Sequence, residues 1–93
     1  RGDEYIYRRD LHWLESSDFM LADVTYPSHG VGYEIAYAQF VAKIPVLLVC
    51  EKDTQVSAML SGNLSVKGYR DLADMKGILE QWLEDKRVPQ EIP

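Results

Sequence analysis

The strongest constraint on the fold is an apolar run over residues 44–50, Ile-Pro-Val-Leu-Leu-Val-Cys. A strand with one face in water alternates apolar and polar side chains, whereas this run is apolar throughout. Such a segment is typical of a strand in a parallel sheet that carries helices on both faces. It is also far shorter than the ~20 residues that a membrane-spanning helix needs. The sequence therefore predicts a buried central strand.

The segments around this strand alternate between helical and strand patterns. Helical spacing of apolar residues predicts helices at 4–17, about 31–43 and 72–85. Shorter runs predict strands at 19–25 and 65–69. This order is typical of a doubly wound α/β domain with a parallel sheet. Smaller predicted features are a helical turn at 56–60 and an N-cap at Asp71.

The whole chain, residues 1–93, is predicted to form one domain. It contains no repeat or low-complexity tract, and its four prolines fall where predicted elements begin or end. Three strands make a thin sheet, and the sequence opens inside a helix. We therefore expect a longer protein in which at least one further strand precedes Arg1.

Charge and cysteine content exclude several classes of function. Fifteen acidic residues against ten basic ones give a net charge of −5, the wrong sign for binding a nucleic acid through its phosphates. A single cysteine, Cys50, cannot form an internal disulfide, so a reducing compartment is favoured. We expect a cytoplasmic protein that could also occur in the nucleus. No zinc-binding spacing is present, so we expect neither a metal ion nor a cofactor.

The loop at residues 26–32 is a candidate binding site, because ligands of open parallel sheets bind at the carboxyl ends of the strands. It contains Ser28, Gly30 and Gly32, and His29 is expected to line the cleft. Glycines let a ligand approach the backbone, and a hydroxyl with free amides at a helix start favours an anion such as phosphate. A tight turn into a packed helix would also account for the pattern.

Glu34 is an acid on a predicted helix that is apolar nearly all the way round. If Gln39 and Lys43 mark the solvent edge, Glu34 points about 140° away from Gln39, at roughly 100° per residue, toward the interior or a cleft. A half-buried carboxylate is costly unless it is paired or used. A first-turn glutamate stabilised by the helix dipole is the alternative.

Asp10 is a second acid on an apolar stripe, four residues after Ile6 and three before Trp13. Two inward carboxylates match the general acid and the nucleophile needed at a glycosidic carbon, where one must stay protonated and the other ionised. An ion pair between Asp10 and a nearby arginine is the alternative.

Four short segments carry a family resemblance. They are Asp-Leu-His-Trp-Leu at 10–14, Ala-Asp-Val-Thr at 22–25, Pro-Ser-His-Gly-Val-Gly-Tyr-Glu at 27–34 and Val-Ser-Ala-Met at 56–59. Together they resemble the 2'-deoxynucleoside 5'-monophosphate N-glycosidases, hydrolytic relatives of the nucleoside 2-deoxyribosyltransferases. The resemblance spans residues 4–85 and implies a flavodoxin-like sheet and a homodimer or larger oligomer.

The resemblance also implies catalytic roles for the two acids. Glu34 would be the nucleophile that attacks the anomeric carbon of the deoxyribose and forms a glycosyl-enzyme ester, which water then releases. Asp10 would be the acid that assists departure of the base.

Four further residues would bind the substrate if the resemblance holds. Ser28 and Gly30 would hold the 5'-phosphate. Ser57, from a neighbouring subunit, would complete the phosphate pocket, with Met59 against the nucleotide. The related transferases place an aspartate at the position of Ser28, where a carboxylate would repel a phosphate, so the serine favours nucleotides over nucleosides.

Three functions stay open on this sequence. The first is hydrolysis of the N-glycosidic bond of 2'-deoxynucleoside 5'-monophosphates to a free base and 2-deoxyribose 5-phosphate. The second is transfer of the deoxyribosyl group to another base. The third is nucleotide binding without catalysis, because family members begin with a strand and a Gly/Ser loop that this sequence lacks.

Overall fold

The computed structural model describes the backbone of residues 2–91 and the side chains of residues 2–86. Within this range the elements follow the predicted order. They are helix α1 (Asp3–Glu15), strand β1 (Met20–Asp23), helix α2 (His29–Tyr37), a π-helical segment (Ala38–Ala42), strand β2 (Val46–Glu51), the single-turn helix α3 (Ala58–Ser61), strand β3 (Val66–Tyr69) and helix α4 (Leu72–Glu91).

The three described strands form one parallel sheet in the order β1-β2-β3. Met20 of β1 is aligned with Val46 of β2, and Leu48 of β2 with Val66 of β3. Strand β2 therefore pairs along both of its edges, and its residues 47–50 are buried. The predicted central strand and the flavodoxin-like α/β class are confirmed, with three strands in the described part of the sheet.

The core lies on both faces of β2. Leu48 and Cys50 pack with Ile35 of α2 in one buried cluster. Leu47 and Val49 are equally buried and point to the opposite face, since side chains alternate along a strand. Helix α4 packs against β2 and β3. Burying a side chain such as Ile35 stabilises the fold by about 1.5–3 kcal/mol, so these few residues dominate its stability.

Helix α2 differs from the prediction at both of its ends. It begins at His29 rather than near residue 31, because the Ser28 side chain caps it. After Tyr37 the backbone widens into the π-helical segment, which ends at Lys43 in the left-handed region, with φ 57°. A π-helical turn shifts the direction of every later side chain, which changes the solvent-facing side of this element.

Gln39 does not mark the solvent edge of this element, so that part of the prediction is wrong. Its side chain is half-buried, and Oε1 accepts a hydrogen bond from the side-chain Nδ2 of Asn63 at 2.9 Å. Phe40 and Val41 are exposed instead, with 65% and 58% of their surface accessible.

The predicted apolar stripe of α1 is only partly buried. Trp13 is 56% exposed and Ile6 46% exposed, so neither belongs to the core. The guanidinium of Arg9 lies 4.5 Å from the centre of the Trp13 ring, an arrangement typical of a cation–π contact at the surface. Leu11 and Leu14 are half-buried, and the helix packs against α2 and the π-helical segment.

Helix α4 begins where predicted and runs longer than predicted, to Glu91 rather than residue 85. The backbone amide of Asp74 donates to the Asp71 carboxylate at 2.8 Å, so the predicted N-cap is confirmed. Neither α4 nor any other helix in the described range combines the length and the apolar character that crossing a membrane requires.

Candidate active site

Helices α1 and α2 enclose a cleft of about 320 Å³ that contains both predicted catalytic acids. We call it the carboxylate cleft, and it is lined by Tyr7, Asp10, Leu11, His29, Gly30, Tyr33 and Glu34. Asp10 lies close enough to Glu34 there to raise the pKa of Glu34. The prediction that two acids from neighbouring helices face one cleft is confirmed, while their catalytic roles stay predictions.

Glu34 carries the electrostatic strain of this pair. Its side chain is half-buried, and burial is the largest cause that raises its pKa above the ordinary glutamate value. The hydrogen bond with Asp10 and the charge of Asp10 raise the pKa further. Both effects disfavour the ionised form of Glu34, because a buried carboxylate loses hydration and a second carboxylate beside it repels its charge.

Asp10 also has a cationic partner. The Arg9 guanidinium donates to Oδ1 of Asp10 from Nε at 3.1 Å and from Nη2 at 3.0 Å. The side chains are 39% and 29% exposed for Arg9 and Asp10, so water weakens this ion pair only partly. The alternative of an arginine ion pair and the cleft-facing interpretation are therefore both correct, because one carboxylate contacts Arg9 and Glu34 together.

Sequence reasoning missed two tyrosines in the carboxylate cleft. The hydroxyls of Tyr7 and Tyr33 are 3.0 Å apart, and their rings meet edge to face with centroids 6.0 Å apart. The hydrogen bond with Tyr7 is the largest cause that raises the pKa of Tyr33. The available signal was spacing, since Tyr7 lies three residues before Asp10 and therefore on the same face of α1.

Ser28 and the first residues of α2 form what we call the anion seat, the Ser28 hydroxyl with the backbone amides of His29 and Gly30. Oγ of Ser28 accepts a hydrogen bond from the Val31 amide at 3.2 Å, which leaves its hydrogen free to donate. The amides of His29 and Gly30 precede the first intrahelical hydrogen bond, from Gly32 to the Ser28 carbonyl at 3.0 Å. Amides in that position favour an anion.

Gly30 keeps the backbone of the anion seat uncovered. A Cβ atom built at this position would lie 4.0 Å from Oγ of Ser28, beside the hydroxyl of the anion seat. No glycine with positive φ occurs in the described residues, so Gly30 is not needed for an unusual backbone conformation. Its missing side chain instead lets a ligand come close to the backbone.

A larger cavity of about 610 Å³, which we call the apolar groove, lies on the other side of α2. Ser28, Ser57 and Met59 of the same chain all line it. Ser57 caps α3 by accepting from the Met59 amide at 3.2 Å, and Met59 is 86% exposed. The structure thus brings the predicted phosphate residues Ser28 and Ser57 to one cavity, and the contribution of Ser57 across a subunit interface stays a prediction.

No group of three or more His, Cys, Asp and Glu side chains that could hold a metal ion occurs among the described residues. Cys50 is a free, buried thiol at the end of β2.

No family model matches the chain. The chain is, however, similar to several proteins that carry functional names. A protein of Syntrophotalea carbinolica, provisionally named 2'-deoxynucleoside 5'-phosphate N-hydrolase 1, is 38% identical over 93 residues, covering 96% of this chain and 65% of its own length. A protein of Methanosarcina barkeri with the same provisional name is 45% identical over 85 residues, covering 87% of this chain and 53% of its own length.

A third relative is named for a particular substrate. The 5-hydroxymethyl-dUMP N-hydrolase of Esox lucius is 37% identical over 89 residues, covering 89% of this chain and 61% of its own length. The chain is homologous to the 2'-deoxynucleoside 5'-phosphate N-hydrolases. The resemblance seen in the four sequence segments is therefore confirmed. The chain spans between 53% and 65% of the length of these three N-hydrolase relatives.

Proposed function

We propose that the protein hydrolyses the N-glycosidic bond of 2'-deoxynucleoside 5'-monophosphates, releasing a free base and 2-deoxyribose 5-phosphate. The observation that carries this proposal is the contact between Asp10 and Glu34 in a cleft whose wall includes His29 and Gly30 of the anion seat. A nucleotide joins a glycosidic carbon and a phosphate through one sugar, which fits an acid pair beside an anion site. The names of the homologues support this substrate class.

The reaction proceeds in two displacements. A carboxylate oxygen of Glu34 attacks the anomeric carbon, the bond from that carbon to the base nitrogen breaks, and the nitrogen takes a proton from Asp10. Water then attacks the glycosyl ester, Asp10 accepts a proton from that water, and Glu34 leaves as a carboxylate. This is the retaining scheme of two-carboxylate glycosidases, with an oxocarbenium-like transition state.

The first step requires Glu34 to be ionised and Asp10 to be protonated. In the free site, burial and Asp10 raise the pKa of Glu34 and so act against its ionised form. Arg9 lies beside Asp10 and stabilises the carboxylate that forms when Asp10 gives its proton to the base.

The proposed assembly is a homodimer. The apolar groove carries the exposed side chains of Tyr33, Phe40 and Met59, and Ser57 lies on its wall. An exposed apolar surface of this kind marks an interaction site in many proteins. A second copy seated there would bring its own Ser57 close to the phosphate region of its partner.

The test measures free base released from deoxynucleoside monophosphates by the full-length protein. Glu34→Gln is expected to lower turnover by about 10³-fold or more, because it removes the nucleophile. Asp10→Asn is expected to lower turnover by about 10²–10⁴-fold, the usual contribution of a general acid. Glu80→Gln, an exposed position on α4 outside both cavities, is the matched control.

Unchanged turnover in Glu34→Gln would exclude Glu34 as the nucleophile. Capture of the sugar by an added second base would instead indicate a transferase. Nucleotide binding without any product would indicate a binding module.

A further inference from the structure

The proposed substrate creates an electrostatic problem that the anion seat alone does not solve. A nucleotide brings a phosphate with close to two negative charges next to Asp10 and Glu34, in a chain of net charge −5. The amides and hydroxyl of the anion seat offer only partial charges, equivalent to about half an elementary charge for a helix N-terminus. A full positive charge near the phosphate would offset the repulsion.

His29 is placed to supply that charge. Within the described residues, no lysine or arginine lines either cavity, and His29 is the one lining residue whose side chain can become cationic. It lines both the carboxylate cleft and the apolar groove, a position shared only with Tyr33 among their lining residues. His29 therefore lies between the acids of the carboxylate cleft and the serines of the apolar groove.

Acidic groups face His29 from one cavity and neutral polar groups from the other. Asp10 and Glu34 face the same cleft from α1 and α2, together with the hydroxyls of Tyr7 and Tyr33. On the groove side the polar residues are neutral, namely Ser28, Gln39, Ser57 and Asn63. Arg9, the nearest described cation to the acids, is already hydrogen-bonded to Asp10 and lies over the Trp13 ring.

We propose that His29 is a substrate-recognition residue whose imidazolium pairs with the 5'-phosphate and makes the site prefer nucleotides over nucleosides. This inference rests on the proposed function and adds a specificity determinant to it. An imidazolium donates a charge-assisted hydrogen bond to a phosphate oxygen, which is stronger than a neutral donor in the same place. A nucleoside lacks the partner and gains nothing from the charge.

The test compares the affinities of a deoxynucleoside 5'-monophosphate and of the matching nucleoside by calorimetry at pH 6.5. The full-length protein is used on a Glu34→Gln background, so that neither ligand is consumed. His29→Gln is expected to weaken nucleotide binding about tenfold while nucleoside binding stays within about twofold. His29→Lys is expected to restore nucleotide affinity, because it returns a positive charge.

His12 offers the matched control. It is an exposed histidine on α1 that lines neither cavity, so His12→Gln should bind both ligands as the parent does. Unchanged nucleotide affinity in His29→Gln would overturn the inference, and so would an equal loss for both ligands or a failure of His29→Lys to restore affinity.

Amide chemical shifts separate this inference from the function on which it rests. Shifts at residues 28–32 on adding 2-deoxyribose 5-phosphate, with no effect of His29→Gln on affinity, would overturn the role of His29 alone. No shift at these residues would overturn the anion seat, and the inference with it. A selective loss in His29→Gln together with no base release by the wild-type protein would support the inference and contradict hydrolysis.

Discussion

The carboxyl group of Glu34 is half-buried, and its pKa is raised first by that burial and then by the neighbouring Asp10. Both causes act against its ionised form in the folded state, which is the form that the proposed nucleophile needs. A group that functions in its disfavoured charge state lowers the stability of the protein that contains it. This conflict leads to a prediction about stability that does not depend on the enzyme assay.

Glu34→Gln should make the folded protein more stable at pH 7. Because the pKa of Glu34 is higher in the folded than in the unfolded state, the wild type loses stability as pH rises through the folded-state pKa. Glutamine cannot ionise and avoids that loss. Below about pH 4 the wild-type side chain is protonated in both states, so the difference should vanish.

Thermal unfolding at pH 7 and pH 4 measures this difference, with Glu80→Gln as an exposed control on α4. A Glu34→Gln protein that melts below the wild type at pH 7, or that shows the same difference at both pH values, would contradict the assignment of electrostatic strain to Glu34.

Residue spacing predicted the facing acids but not their partners. Helical periodicity placed Asp10 on the cleft side of α1, and it placed Glu34 toward the same cleft although Gln39, one of the two residues taken as the solvent edge, is half-buried. The Tyr7–Tyr33 hydroxyl pair depends on how α1 packs against α2, which no local pattern encodes. The exposure of Trp13 was not predictable for a similar reason. Its spacing is that of a core residue, but its ring contacts the guanidinium of Arg9 at the surface.

At the scale of elements, the π-helical segment is the feature that the sequence did not reveal. A π-helical turn inserts one additional residue into a helix without a distinctive residue pattern, so residues 31–43 are consistent with one continuous α-helix. Its consequences are the exposure of Phe40 and Val41 and the left-handed conformation of Lys43, at φ 57°. The strands were predictable because their uniform apolar character follows directly from burial in a parallel sheet.

Lys43→Gly should stabilise the end of the π-helical segment. A side chain in the left-handed region costs about 1–2 kcal/mol, which glycine avoids, although glycine also loses more chain entropy on folding. The expected net effect is a gain of about 0.5–1 kcal/mol in the free energy of unfolding, measured by urea denaturation.

Lys76→Gly is the control for this change, because Lys76 is an exposed residue within the regular helix α4. There the same substitution should cost about 1 kcal/mol. Equal effects of the two substitutions would show that backbone conformation at Lys43 does not limit stability.

At the scale of the whole molecule, the balance between core and surface favours association. Eight hydrophobic residues are buried in the described structure, whereas Phe40 and Val41 of the π-helical segment and Met59 of the apolar groove are mostly exposed. A domain of this size buries a smaller share of its surface than a large one, so covering such a patch adds substantially to its stability. Sequence periodicity could not show this patch, because the turn at the π-helical segment decides which side chains face outward.

The proposed dimer should therefore depend on Phe40. Replacing this exposed aromatic ring with a charge, in Phe40→Asp, should raise the dimer dissociation constant about 30-fold or more, because central aromatic residues contribute about 2 kcal/mol or more to an interface. Sedimentation velocity over a concentration series measures the shift from dimer to monomer.

Leu72→Asp is the matched control, since Leu72 is 76% exposed at the start of α4 and lies outside the apolar groove. Loss of the dimer in Leu72→Asp but not in Phe40→Asp would place the interface elsewhere, and a wild-type protein that is monomeric at every concentration would remove the proposed assembly altogether.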